Sequence, residues 1–255
     1  MKKVWVIAQN NFKESLRKRT LYFLLVIALV VIGTSRFFSF LTAEEELKMI
    51  KDVSFSTIEF FGFLMILFST MGSISGEIEK RTIYTLLSKP ITRINFIIGK
   101  FLGQVLILFL KFILMAIFFF ILLFIKKSIP DIETLKTLIL IFVELILLIS
   151  LTLAVASFAS SDAFTLIFIF FIYIVGHLVT YGLQRMELVE NLILKIAGNF
   201  LYYIIPNLEN FNIRDEVVVG VPVTWLYVVK TIGYGIIYIC IGVLIAIYFF
   251  QKREV

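Results

Sequence analysis

Among the ionisable residues inside or at the margins of long apolar runs, the candidates for chemistry are Arg36, Glu59, Lys111, Glu144 and His177. Charge in a hydrocarbon environment is costly and is rarely kept without a partner or a use. Counted at 1.5 Å per residue from the outer ends of their runs, Glu144 and His177 lie at a similar depth of roughly 12 Å, and Lys111 at roughly 22 Å. Depth therefore matches Glu144 to His177. A carboxylate and an imidazole at one level read in three ways: a structural hydrogen bond between neighbouring spans, the polar lining of a path across the membrane, or a proton-coupled or catalytic site. One acid and one histidine without a second acid is thin for a protease or hydrolase. Arg36 and Glu59 also share a level, near the outer face, and are expected to pair.

Other chemistry is excluded more firmly. The chain has one cysteine, Cys240, and one histidine, so no disulfide framework and no Cys/His metal cluster is available. No metal site and no cofactor bound by this chain is expected. There is no G-x-x-x-x-G-K-[ST] phosphate loop; Gly99–Lys100 lacks both the upstream glycine and the following hydroxyl. The chain also lacks H-E-x-x-H and G-x-S-x-G.

The elements that must position these residues are long apolar helices. Of 255 residues, 60% are hydrophobic and 28 are Phe, well above the apolar share of soluble domains. The apolar residues fall in runs of spanning length, which makes the chain an all-α, polytopic membrane protein organised as one transmembrane domain over residues 1–255. Six spans are expected, at about 21–41, 55–75, 101–125, 135–159, 164–183 and 223–250. Residues 2–19 precede them, with Val4, Ile7, Ala8, Phe12 and Leu16 at helical spacing among basic residues, the pattern of an amphipathic interfacial helix. Residues 42–52 read as a short polar loop, and Ser160–Ala163 as a tight hairpin in which Asp162 can cap the next helix. Residues 184–222 form an outer segment whose apolar pieces are too short to span.

Orientation follows from the basic residues, which cluster in the N-terminal helix, in 76–100 and at the C-terminus. This places both termini in the cytoplasm of a cell-membrane protein. The net charge of +6 is spent at the ends of apolar runs. It therefore serves topology and lipid headgroups, and no nucleic-acid partner is expected.

The loop 76–100 carries more than orientation requires. Glu77 and Arg81 are spaced i,i+4. Ile83, Leu86 and Leu87 make an apolar stripe, and Pro90 stops the helix near Leu87. Thr92 can then cap a second helix that runs into span three. The acids Glu77 and Glu79 work against a purely basic topology signal. The result is a short two-faced helix in a rigid elbow.

These residues resemble a family. The run E-x-E-x-x-T-I-x-x-L-L-S-K-P-I-x-R-x-x-F-I-x-G-K-x-x-G at Glu77–Gly103 is similar to the cytoplasmic loop of ABC type-2 transporter permeases, the membrane subunits of ATP-driven exporters. W-x-I-A-x-N-x-F-K-E at Trp5–Glu14 and PNLENFNIRD in the outer segment resemble the same family, so the likeness covers nearly the whole chain. It implies that 76–100 is a coupling helix docking on an ATP-binding subunit. Glu77, Glu79, Lys80, Arg81, Thr82, Leu86, Leu87, Lys89, Pro90 and Arg93 would be the contacts. It implies also a second permease copy, with ATP and Mg held by the partner subunit rather than by this chain. The expected function is the permease half of an exporter, without enzymatic activity of its own. The alternatives are an intramembrane enzyme using Glu144 and His177, or a membrane scaffold that transports nothing.

Overall fold

A computed structural model describes residues 2–35, 37, 43–70, 92–126, 131–159, 161–186 and 205–252. The coupling-loop residues Glu77, Glu79, Lys80, Arg81, Thr82, Leu86, Leu87, Lys89 and Pro90, and also Arg36, lie outside the described residues. Among the described residues every regular element is helical: α1 (Lys2–Arg17), α2 (Arg19–Thr34), α3 (Ala43–Thr70), α4 (Arg93–Ile125), α5 (Ile132–Phe158), α6 (Asp162–Met186), a 3-10 turn (Leu208–Phe211), α7 (Arg214–Val219) and α8 (Trp225–Lys252). Among the described residues, four helices are long and apolar enough to cross a membrane: Glu45–Thr70, Arg93–Ile125, Ile132–Phe158 and Trp225–Lys252. Arg19–Thr34 and Asp162–Leu178 are shorter apolar helices.

The central element is α5. Its buried residues point in every direction, from Leu138 and Ile141 through Glu144, Leu145 and Leu148 to Leu153, and α3, α4, α6 and α8 all pack against it. Helical glycines set the closest approaches. A Cβ on Gly235 would come within 2.8 Å of Val143, and one on Gly242 within 2.6 Å of the Ser150 hydroxyl, so α8 lies against α5 without a side chain between them at these points. Away from α5, α8 presents an apolar face that includes the exposed Ile237, Leu244 and Tyr248. An outward-facing apolar surface of this kind suits lipid or another apolar surface.

Two elements depart from the sequence expectation, the start of α3 and the cap of α6. Helix α3 begins at Ala43, so most of the expected polar loop at 42–52 is helical. Its charged first turns are matched across the fold: Glu46 pairs with Lys126, and Lys51 with Asp131 at 2.5 Å. Helix α1 buries its predicted stripe: Ile7 and Ala8 are buried and Val4, Phe12 and Leu16 half-buried, with Asn11 and Ser15 joining the same face, packed on the first half of α4, and Trp5 is exposed. A pair of glycines some ninety residues away admits that face. A Cβ on Gly99 would meet Ile7 at 2.7 Å, and one on Gly103 would meet the Ala8 carbonyl oxygen at 2.8 Å, so G-K-F-L-G is a cradle for the backbone of α1. Asn11 Nδ2 donates to the Lys100 carbonyl oxygen at 3.1 Å. Finally, Ser161 rather than Asp162 caps α6, accepting from the Phe164 N–H at 3.2 Å. Thr92 caps α4 as the sequence indicates, accepting from the Asn95 N–H at 3.2 Å.

The helix ends sort into two levels. On one side the start of α4 meets the end of α8: Arg93 donates to the carbonyl oxygens of Phe250 and Gln251 at 3.2 and 2.7 Å, and Phe96 stacks on Phe250. The end of α3 joins that level through Lys18, which donates to the Ser69 carbonyl oxygen at 2.8 Å. On the other side the starts of α3 and α5 and the end of α4 meet through the two ion pairs above. The segment 205–224 lies there too, since Glu133 at the start of α5 accepts from the Val223 N–H at 3.2 Å.

Candidate functional site

Four elements bring one polar centre together beneath the segment 205–224. Glu59 comes from α3, Glu144 from α5, Tyr173 and His177 from α6, and Arg214 from the first residue of α7. His177 Nε2 lies 3.1 Å from Glu59 Oε1 and 3.4 Å from Glu144 Oε1. Its other nitrogen, Nδ1, lies 3.0 Å from the Tyr173 carbonyl oxygen. A carbonyl only accepts, so Nδ1 carries a proton and Nε2 is the atom turned toward the two acids. The Tyr173 hydroxyl donates to Glu59 Oε1 at 3.1 Å, and Phe63 stacks on its ring at a centroid distance of 4.1 Å.

Arg214 closes the centre from the side of the segment 205–224. Its Nη1 is 3.4 Å from Glu59 Oε2 and donates to Ser56 Oγ at 2.8 Å. The local sequence aims it. Asn207 caps the 3-10 turn, accepting from the Glu209 N–H at 3.1 Å. Leu208 and Phe211 are buried and plug into α6 and α8, where Gly176 and Gly235 leave the room. Asn212 Oδ1 then accepts from Arg214 Nε at 2.9 Å, while its amide donates to Glu209 at 2.9 Å. The stretch P-N-L-E-N-F-N-I-R thus caps with Asn207, plugs with Leu208 and Phe211, holds with Asn212 and points with Arg214.

The centre is closed. Glu59 and Glu144 are 3% and 1% exposed, and His177 is the partly exposed member. Glu144 Oε1 and His177 Nε2 are buried atoms without a hydrogen bond of acceptable geometry. One ligand atom from each of Glu59, Glu144 and His177 lies within 4.8 Å of the others. Two carboxylates and an imidazole so arranged can hold a shared proton, pair as ions, or ligate a cation.

The sequence pattern matches Glu144 to His177, and the fold brings them together. It sets Glu59 apart and pairs it with Arg36, whose structure lies outside the described residues; the partners Glu59 has are Tyr173, His177 and Arg214. Arg214 and Tyr173 escape sequence reasoning altogether. The signals are present: an arginine closing the P-N-L-E-N-F-N-I-R stretch, and a tyrosine four residues before the histidine, one helical turn away. Lys111 stays outside this centre. It is buried, and its ammonium sits 3.6 Å from the centre of the Tyr22 ring, a cation–π contact in place of an acid. It faces Ser69 and Gln104, which are hydrogen-bonded to each other. Arg93, the one coupling-loop residue described, bonds the end of α8 as above.

Residues 5–255 match the family described as ABC-2 family transporter protein. The chain belongs to this family. It is a membrane permease of an ABC transporter; the family is a membrane transport component, not itself catalytic, and membership implies an ATP-binding subunit as partner. The match covers the amphipathic α1, the 76–100 loop, the polar centre and the segment 205–224 of the permease in one stretch. No curated protein matches the sequence of the permease.

Proposed function

We propose that this chain is the membrane-spanning subunit of an ABC exporter. It moves its substrate across the cell membrane on energy from ATP, hydrolysed with Mg by a separate ATPase subunit. Two copies of the chain and two ATPases make the working unit, each chain crosses the membrane six times, and both termini are cytoplasmic. The observation that carries this reading is the family match over residues 5–255, together with the coupling motif at Glu77–Gly103 within it.

The segment from Glu77 to Arg93 is the docking element. Its acids and bases complement a groove on the ATPase, and its apolar stripe of Ile83, Leu86 and Leu87 gives it a buried anchor. Movement reaches the spans because the elbow is short. Thr92 caps α4 directly after it, and Arg93 and Phe96 tie that end of α4 to the last turn of α8. Displacing the loop therefore moves two spanning helices together, and the cradle at Gly99 and Gly103 carries α1 with them.

The test is association. Glu79→Lys or Arg81→Glu is expected to reduce ATPase co-purification severalfold while membrane insertion stays intact. Normal co-purification and normal ATP hydrolysis in both variants would remove the docking assignment.

A further inference from the structure

We propose that Glu59, Glu144 and His177 form a binding site for one divalent transition-metal ion of the Zn²⁺ type, with Tyr173 and Arg214 as its supporting shell. The proposal does not depend on the transport reading above; it rests on the position of three buried ligand atoms.

The first argument is distance. A tetrahedral ion holds oxygen and nitrogen ligands at about 2.0–2.2 Å, which places neighbouring ligand atoms about 3.3–3.6 Å apart. His177 Nε2 stands 3.1 and 3.4 Å from the two carboxylate oxygens, close to such edges. The second is direction. If a proton alone joined these groups, the Nε2–H bond would point along a line to one oxygen. Nε2 and Glu144 Oε1 are both buried and neither has a hydrogen bond of that geometry, although they are neighbours. Two buried ligand atoms without a hydrogen bond, 3.4 Å apart, with Glu59 Oε1 3.1 Å from one of them, are placed for an ion.

The third argument is the surrounding shell. Metal-ligating histidines donate their second N–H to a carbonyl or carboxylate, which fixes the tautomer and the ring orientation. The Tyr173 carbonyl oxygen does this for Nδ1. Ligating carboxylates are themselves held. Arg214 sits on Glu59 Oε2, the oxygen turned away from His177, and the Tyr173 hydroxyl on Oε1. The donor set of one imidazole and two carboxylates suits borderline ions such as Zn²⁺ rather than Mg²⁺, which prefers oxygen alone and keeps its waters. Binding would release any proton held among these groups, since a ligating imidazole is neutral and ligating carboxylates are ionised; the two carboxylates beside one guanidinium would then carry one net negative charge for a dication to offset. Three protein ligands leave a fourth position open, on the side where His177 is partly exposed.

His177 is the only histidine of the chain, so tag-free protein offers a clean readout. Protein in detergent, stripped with a chelator and re-equilibrated with Zn²⁺, is expected to retain one ion per chain by elemental analysis and to unfold at a higher temperature with Zn²⁺ than without. Loaded with Cu²⁺ instead, it should show imidazole nitrogen coupling in its paramagnetic resonance spectrum. His177→Ala and Glu144→Gln should abolish the retained ion. Tyr173→Phe, which keeps every ligand, should weaken Zn²⁺ affinity about tenfold. The proposal is overturned if wild-type protein shows neither retained Zn²⁺ nor a thermal shift, or if His177→Ala, folded by gel filtration, retains as much Zn²⁺ as wild type. Should both ligand variants fail to fold, the wild-type thermal shift and the Tyr173→Phe affinity decide it: no shift, or no loss of affinity, overturns the site.

Discussion

The two ends of the helical bundle are built on opposite principles. Beneath the segment 205–224, the helices α3, α5, α6 and α7 meet through charge: Glu59, Glu144, His177 and Arg214 share one buried centre. At the other end, α1, α4 and α8 meet through closeness of backbone. Gly99 and Gly103 admit α1, and Arg93 donates to the carbonyl oxygens of Phe250 and Gln251. A charge centre fixes which atoms face each other, because any vacancy in it leaves an uncompensated group. A glycine seam sets distance, and here the Asn11–Lys100 bond adds a polar tie along it. The end nearest the coupling loop is therefore joined through close backbones and amide or carbonyl groups, and the far end through buried charge.

The comparison can be broken at either end. The largest effect is expected from Glu59→Ala, which removes the shared partner of His177, Tyr173 and Arg214 at once. Losing one member of a buried ionic group costs about 3–5 kcal/mol, and thermal unfolding in detergent micelles should register it. A loss below about 1 kcal/mol would mean that water already screens this centre. Next comes Gly103→Leu. The new Cβ would stand 2.7 Å from Asn11 Nδ2 and 2.8 Å from the Ala8 carbonyl oxygen, so α1 must lift from α4. Overpacking of this kind costs about 1–3 kcal/mol, and limited proteolysis should cut α1 faster while the rest of the chain resists. Equal protection of α1 in the variant would show that α1 holds its place without the cradle. The smallest effect belongs to Lys51→Ala. Asp131, its partner, is half exposed, and such a pair contributes about 0–1 kcal/mol. A larger loss on chemical unfolding would move this pair from the surface class into the charge-built class.

The sequence and the fold agree where the signal is local. Apolar run lengths locate α4, α5 and α8, and Thr92 is a cap because its own side chain reaches the N–H three residues on. Disagreement begins where a partner is remote. The stripe of α1 is legible, but its seat is not: Gly99 and Gly103 in α4 are what the stripe packs on. The polar start of α3 is a loop by composition and a helix because Lys126 and Asp131 compensate Glu46 and Lys51. Depth is one coordinate only. It aligns Glu144 with His177, and it cannot say that Glu59 stands beside them, nor that a segment reading as polar and turn-rich folds back to bring Arg214 onto Glu59. In the stretch from Glu77 to Pro90, the family likeness and the residue pattern carry the assignment by themselves.

The bond from Arg93 to the carbonyl oxygens of Phe250 and Gln251 has a practical side. It places the last described helical turn next to the first residue after the elbow. A fluorophore attached near Lys252 would sit beside that junction and, under the docking proposal, would report ATPase binding without altering a docking residue. A bulky affinity tag at the same place would crowd that junction, so a tag for capturing the whole complex belongs elsewhere on the chain.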